Sequence, residues 1–141
     1  MSIPDRYVLD CSVTLSWFFE DEASAATDAL LLALPDCHVV VPSLWFMELG
    51  NALNVAVRRK RVEERRASQF LDRLGRQNLV EHRAEPARLW REARALASRR
   101  KLSVYDAVYL DLARQSGLPL ASLDRALRVA ADAESVPLVL G

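Results

Sequence analysis

The sequence predicts an α/β protein, a three-layer α/β/α sandwich around a central parallel sheet of about four to five strands. Two observations predict it. Short apolar or β-branched runs alternate with longer helical stretches along the chain. Each strand-like run is separated from the next by at least one helical stretch, so successive strands need crossover connections, which make neighbours parallel and cover both faces of the sheet.

The elements follow in order. Tyr7-Val8-Leu9 is a short apolar run ending at Asp10 and reads as a buried strand. Ser12 is placed to cap a helix running through Phe19. Glu22 to Leu34 is rich in Ala and Leu and reads as a helix stopped by Pro35. His38 to Val41 is a second, β-branched strand closed by Pro42. Ser43 is placed to cap a long helix from Leu44 to about Arg59, and Val62 to Arg76 forms the second arm of that helical hairpin. Asn78 to His82 is a third, weaker strand. Pro86 suits the first turn of a helix reaching Arg100. Ser103 to Gln115 is the next helix, ended by Gly117 and Pro119. Pro119 to Ser122 reads as a strand, Asp124 to Asp132 as a helix and Val136 to Leu140 as a last strand.

Composition narrows the function classes. At 141 residues the chain fits a single domain, residues 1–141, large enough to bury a core without disulfides or structural metal. A hydrophobic share of 51% excludes a disordered chain. Nineteen basic and nineteen acidic residues cancel, so bulk charge does not argue for nucleic acid. Cys11 and Cys37 form no metal or redox motif, no stretch of about 18 apolar residues predicts a membrane span, and the start lacks a secretory pattern. A reducing cytoplasm is the expected compartment.

The chemistry points to four acids. Asp10 ends the first strand, Glu48 lies in the second turn of the helix after Pro42, Asp106 lies in the first turn of the helix after Ser103, and Asp124 follows the strand Pro119–Ser122. In an open parallel sheet, ligands bind beyond the carboxyl ends of the strands, near the switch in strand order. All four acids fall at that edge. Each also has a local reading: Ser103 and Asp106 match a capping box, Asp124 an N-cap, Asp10 a local turn and Glu48 an exposed helix position. The surroundings favour the joint reading. Leu44-Trp45-Phe46-Met47 precedes Glu48, and Val104-Tyr105 and Ala107-Val108 flank Asp106, so both helices read as apolar most of the way round and largely buried. No Lys or Arg lies on those faces to neutralise a carboxylate. Two carboxylates about 4 Å apart repel by roughly 4 kcal/mol at an effective dielectric near 20, so four in one pocket stay ionised only around a cation. An all-oxygen donor set favours Mg²⁺ or Mn²⁺ over Zn²⁺. Cys11 is expected to point to the opposite face of the strand from Asp10, and His38 and His82 read as surface or packing residues.

These residues carry a resemblance. The chain resembles the PIN domain, and within it the VapC-type ribonuclease toxins of bacterial toxin–antitoxin pairs. The matching pieces, in the family's order, are Val8-Leu9-Asp10-Cys11-Ser12-Val13 with Trp17; Pro42-Ser43-Leu44 through Glu48 to Asn51-Ala52-Leu53; Leu102-Ser103-Val104-Tyr105-Asp106-Ala107 with Tyr109-Leu110; and Gly117-Leu118-Pro119-Leu120-Ala121-Ser122-Leu123-Asp124. The last motif more often carries Thr where Ser122 stands. The resemblance implies that Asp10, Glu48, Asp106 and Asp124 form an acidic Mg²⁺ or Mn²⁺ site, with Asp10 and Asp106 the chief ligands. It implies Ser12 and Ser122 beside that site, and Asn51, one turn after Glu48, as a support. It further implies metal-dependent hydrolysis of RNA phosphodiesters, a cognate VapB-type antitoxin and a homodimer.

An RNA substrate approaching acids needs basic side chains nearby. Two runs supply them: Arg58, Arg59, Lys60 and Arg61 with Arg65 and Arg66, and Arg99, Arg100 and Lys101 shortly before Asp106. Both also read as solvated helix ends, where cations suit the helix dipole. Rival readings are weaker. A receiver-like domain needs a late lysine, and none follows Lys101; a haloacid-dehalogenase-type phosphatase needs D-x-D where Asp10-Cys11-Ser12 stands; a dinucleotide-binding fold needs a GxGxxG after the first strand. A PIN-like fold that binds RNA or protein without cutting is the remaining alternative.

Overall fold

The structure, a computed structural model, describes residues 2–141; Met1, the first residue of the predicted domain, lies outside them. Four parallel strands form the sheet in the order β3-β2-β1-β4: β1 (Arg6–Leu9), β2 (His38–Pro42), β3 (Leu79–His82) and β4 (Leu120–Ala121). The helices are α1 (Cys11–Phe18), α2 (Ala25–Ala33), α3 (Ser43–Arg58), α4 (Glu64–Leu74), α5 (Pro86–Arg88), α6 (Arg94–Arg100), α7 (Val104–Ser116) and α8 (Arg125–Ala133). A π-helical turn over Leu89–Ala93 joins α5 to α6, so the predicted helix from Pro86 to Arg100 carries a local bulge.

The chain steps from β1 to β2 to β3 on one side of β1, then returns across the sheet to β4 on the other side. Right-handed crossovers therefore place α1–α4 on one face and α5–α8 on the opposite face. Accordingly α3 packs on β2, while α7 packs on β1, β2 and β4. Strands covered on both faces are apolar throughout: Tyr7, Val8 and Leu9 of β1 and Val39, Val40 and Val41 of β2 are all buried. β3 is the edge strand, which explains its weaker sequence signal and the exposure of Val80. The predicted strand Val136–Leu140 shrinks to one parallel bridge, Leu120 to Leu138, because Pro137 has no N–H to give to a ladder.

Three side-chain ties fix the helices that carry the acids. The indole Nε1 of Trp45 donates to Thr14 Oγ1 at 3.1 Å and seats α3 on α1. Arg88 grips the buried Asp111 with two bonds, 2.7 and 2.9 Å, and locks α5 to α7. Glu134, after α8, accepts from Arg99 and Arg100 of α6 and lies 3.4 Å from Arg114 of α7. One glycine is required: Gly117 ends α7 at φ +66°, the left-handed conformation that a side chain disfavours. Among the described residues no helix is long and apolar enough to cross a membrane.

Candidate active site

β1 and β4 are the adjacent strands whose connections leave in opposite directions, so the crevice of an open α/β sheet lies at their carboxyl ends. Asp10 follows β1 directly, and Ser122 and Asp124 follow β4. Asp10 is the N-cap residue of α1, yet its side chain makes no cap bond. Its Oδ2 instead accepts two hydroxyls, from Ser12 and from Ser122, each at 2.7 Å. Ser12 therefore does not cap α1 through its side chain; it ties Asp10 on one side, while its Oγ accepts from the Leu123 N–H at 2.9 Å. Ser122 in turn accepts from the Asp124 N–H at 3.1 Å. Asp10, Ser12, Ser122 and Asp124 thus form one hydrogen-bonded cluster across the switch point.

The other two acids arrive on helices. α3 starts at the carboxyl end of β2, and its second turn carries Glu48. Its first residue is Ser43, but Ser43 is not the cap: Pro42 holds that position and the Ser43 hydroxyl donates to Glu81 at 2.7 Å. α7 starts at the same edge, capped by the Ser103 hydroxyl, which accepts from the Asp106 N–H at 3.1 Å. That is one arm of the expected capping box. The local reading of Asp124 also holds, since its Oδ2 accepts from the Leu127 N–H at 2.8 Å and caps α8. A cap bond occupies one carboxylate oxygen and leaves the other available.

The electrostatics join the four acids. Burial pushes the Asp10 carboxyl above the usual range, and the charge of Asp124 adds to it, while the two serine hydroxyls oppose. Burial also raises Glu48, with the charges of Asp10 and Asp106 adding and the Tyr109 hydroxyl opposing. Asp106 is raised by burial and by Asp124 and Asp10. Like-charge repulsion therefore links all four, and among the described residues none of them pairs with a Lys or Arg. A negative, all-oxygen donor set with no basic partner fits a hard divalent cation. The ligands are not preassembled, however: among the described residues no three His, Cys, Asp or Glu side chains converge closely enough to hold an ion.

The surroundings differ from the sequence reading in three ways. The turns bearing the acids are not buried all round: Phe46, Met47, Val104, Tyr105 and Leu123 are exposed and rim the acids with apolar surface. Cys11 does not continue β1 to its other face but opens α1; burial pushes its thiol up to about 12, with Glu48 and Asp10 adding, so it is protonated at neutral pH. Asn51 is exposed and makes no side-chain hydrogen bond to Glu48. That place is taken by Tyr109, whose hydroxyl donates to Glu48 Oε1 at 2.5 Å. The sequence signal for Tyr109 was its position one helical turn after Asp106, on the same face. Arg128, with no motif to mark it in the sequence, donates to the Ser122 carbonyl at 3.0 Å and to the Gly141 carbonyl at 3.2 Å, bracing the end of β4.

The basic runs separate. Arg58, Arg59 and Lys60 are exposed at the far end of α3, about 15 Å along the helix from Glu48. Arg61 is bound to Asp21 at 2.9 and 3.0 Å and lies over the Phe19 ring, and Arg66 lies over Phe18. Arg65 is exposed on α4. Arg99 and Arg100 are engaged by Glu134, whereas Lys101 ends α6 at φ +56° with no carboxylate partner among the described residues.

The family model described as the PIN domain matches residues 7–133. No curated protein matches the chain. Among solved structures, PAE2754 from Pyrobaculum aerophilum is similar at 26% identity and a TM-score of 0.64, over 89% of this chain and 84% of that one. FitAcB from Neisseria gonorrhoeae is similar at 18% identity and a TM-score of 0.65, over 94% of this chain and 95% of that one. A toxin–antitoxin complex from Klebsiella pneumoniae is similar at 17% identity and a TM-score of 0.56, over 84% of this chain and 86% of that one.

Proposed function

The chain belongs to the PIN domain family, and from that premise we propose that it is a Mg²⁺- or Mn²⁺-dependent endoribonuclease, the VapC-type toxin of a toxin–antitoxin pair, with residues 1–141 as one PIN domain. One observation carries the reading: at the switch point of a parallel sheet, burial and the charges of neighbouring acids, Asp124 among them, push the Asp10, Glu48 and Asp106 carboxyls up, with no basic side chain among the described residues to neutralise them.

Asp10 and Asp106 would hold the ion, directly or through water, with Glu48 and Asp124 completing its surroundings. When bound, such an ion supplies charge neutralisation at the scissile phosphate and a more acidic water. The residues themselves do the rest. Ser12 and Ser122 fix Asp10 through Oδ2 alone, which keeps Oδ1 clear of hydroxyl donors. Tyr109 fixes Glu48 through Oε1, leaving Oε2 to orient the attacking water and accept its proton. Water adds to phosphorus as the bond to the leaving ribose oxygen breaks, with no covalent intermediate on the protein.

The similarity to a toxin–antitoxin complex supports a VapB-type antitoxin as partner. The exposed Phe46, Met47 and Tyr105 beside the acids offer apolar surface for that partner or for a homodimer. The setting proposed is the cytoplasm of a prokaryote.

RNA cleavage with Mg²⁺, Mn²⁺ or EDTA, comparing the parent chain with Asp10→Asn and Asp106→Asn, tests the reading. Cleavage that EDTA stops and either substitution abolishes is expected. Full activity in EDTA overturns the mechanism, turnover of a phosphomonoester in place of RNA favours the phosphatase alternative, and RNA binding without cleavage leaves a silent PIN module.

A further inference from the structure

The chain has only two lysines, and they share an unusual backbone. Lys60 follows α3 at φ +58° and Lys101 ends α6 at φ +56°. Both positions suit glycine on backbone grounds, because a Cβ is disfavoured in the left-handed region. A lysine held there keeps a cation at a fixed helix end despite the strain, and strain of that kind clusters at functional positions. What distinguishes the two is what surrounds them.

Lys101 stands on the rim of an open groove of about 600 Å³ between α6 and α8. Arg99, Arg100 and Arg125 complete the rim, while Ala126 and the exposed Val129 belong to its apolar floor. Glu134 neutralises part of the Arg99 and Arg100 charge and pins both guanidinium groups in place. Lys101 and Arg125 have no carboxylate partner among the described residues, so the groove is net positive. Along the chain it neighbours two of the acids: Arg125 follows Asp124 directly, and Lys101 comes two residues before Ser103, the cap of the helix that carries Asp106. Lys60 instead borders a surface that mixes Arg61 and Arg66 with Glu63 and Glu64, and it lies at the far end of α3, about 15 Å along the helix from Glu48.

We propose that the groove between α6 and α8 is the track for the RNA strand on one side of the scissile bond, with Lys101 and Arg125 binding its phosphates. The inference rests on the ribonuclease reading and sharpens it: of the two basic runs, the one ending in Lys101 meets substrate. A polyanion approaching four carboxylates is repelled unless a cationic rim lies alongside, and this rim is the one in chain contact with the acids. The apolar floor offers ribose and base a surface that demands no polar partner.

The test uses the full chain carrying Asp10→Asn, so that RNA is bound without being cut, and measures the affinity for a labelled single-stranded RNA across a salt series. Lys101→Gly is expected to weaken binding roughly fivefold near physiological salt and to reduce the salt slope by about 0.7, the loss of one phosphate contact. Its melting temperature should stay level or rise, because glycine relieves the left-handed backbone. Lys60→Gly provides the same relief and should leave binding unchanged. Arg125→Gln, which does not alter a strained position, should weaken binding like Lys101→Gly. Equal affinity in the Lys101→Gly, Arg125→Gln and Lys60→Gly proteins overturns the groove assignment while leaving the ribonuclease reading intact. Failure of the parent chain to cut or bind any RNA overturns both.

Discussion

The hydroxyl of Tyr109 donates to Oε1 of Glu48 across 2.5 Å, joining α7 to α3 at the carboxyl edge of the sheet. Tyr109 is fully buried, and its proton is held tightly: burial and the neighbouring Glu48 push the phenol far above its usual range. Tyr109 is therefore a permanent donor, and Glu48 is oriented by the same helix that carries Asp106. Tyr109→Phe keeps the ring and loses the bond. Urea unfolding should show a cost of about 1 kcal/mol. Steady-state cleavage should show kcat falling about tenfold with KM nearly unchanged, since a misoriented Glu48 impairs the chemical step more than RNA binding. An unchanged kcat would remove Glu48 from the water-orienting role.

Asp10→Asn and Asp106→Asn should separate function from stability. Both carboxylates are destabilised in the folded protein by burial and by their acidic neighbours. In EDTA, replacing either charge by a neutral amide is expected to leave the melting temperature level or raise it. Mg²⁺ or Mn²⁺ should raise the melting temperature of the parent chain by selective binding to the folded state, and do so much less for either variant. Differential scanning fluorimetry with and without EDTA reads both effects. A parent chain whose melting is indifferent to divalent ions would count against the cation site.

Glu134 behaves in the opposite sense. Hydrogen bonds from Arg99 and Arg100 lower its carboxyl to about 2, from an ordinary value of 4.5. A lowered folded-state value means that the unfolded chain takes up the proton first. The stabilisation is thus complete above about pH 4.5 and is lost as pH falls toward 2. After allowance for solvent around the half-exposed arginines, Glu134→Gln should cost about 1 kcal/mol at neutral pH. Urea midpoints of parent and variant should converge as the pH drops from 4.5, and a constant gap across that window would contradict the pairing.

Ser122→Ala removes a buried hydroxyl that donates to Asp10 and accepts from the Asp124 N–H. Chemical denaturation should show a loss of about 1–3 kcal/mol. Ser12→Ala, at a half-buried site, should cost less. A neutral Ser122→Ala would mean that Asp10 finds another donor at the end of β4.

Much of this arrangement was legible in the sequence, and the reasons are specific. Strands buried on both faces spell themselves as Tyr7-Val8-Leu9 and Val39-Val40-Val41, and crossover helices dictate a parallel sheet. The sheet then dictates the edge at which Asp10, Glu48, Asp106 and Asp124 lie. Side-chain partners were harder to read because they depend on helix rotation. Nothing local announces that Tyr109 faces Glu48, 61 positions earlier. Nor does it announce that Ser43 turns away from its own helix end to Glu81. The exposure of Phe46, Met47 and Tyr105 was hidden for a related reason: an apolar turn reads the same whether it meets a core or awaits another surface. The last strand failed on chemistry that was visible, since Pro137 interrupts its ladder.

The bond between Ser122 and Asp10 closes a loop of 112 positions. During synthesis, β1 is the first of the four strands to leave the ribosome and waits for β4, the last of them. Until β4 docks beside β1, Asp10 lacks its Ser122 donor and Asp124 has no place at the edge. A contact so distant in sequence forms late and at a high entropic cost. A polypeptide in which β4 has not yet docked therefore lacks the Ser122–Asp10 bond and the edge that places Asp124, so the acidic cluster is a product of the completed sheet.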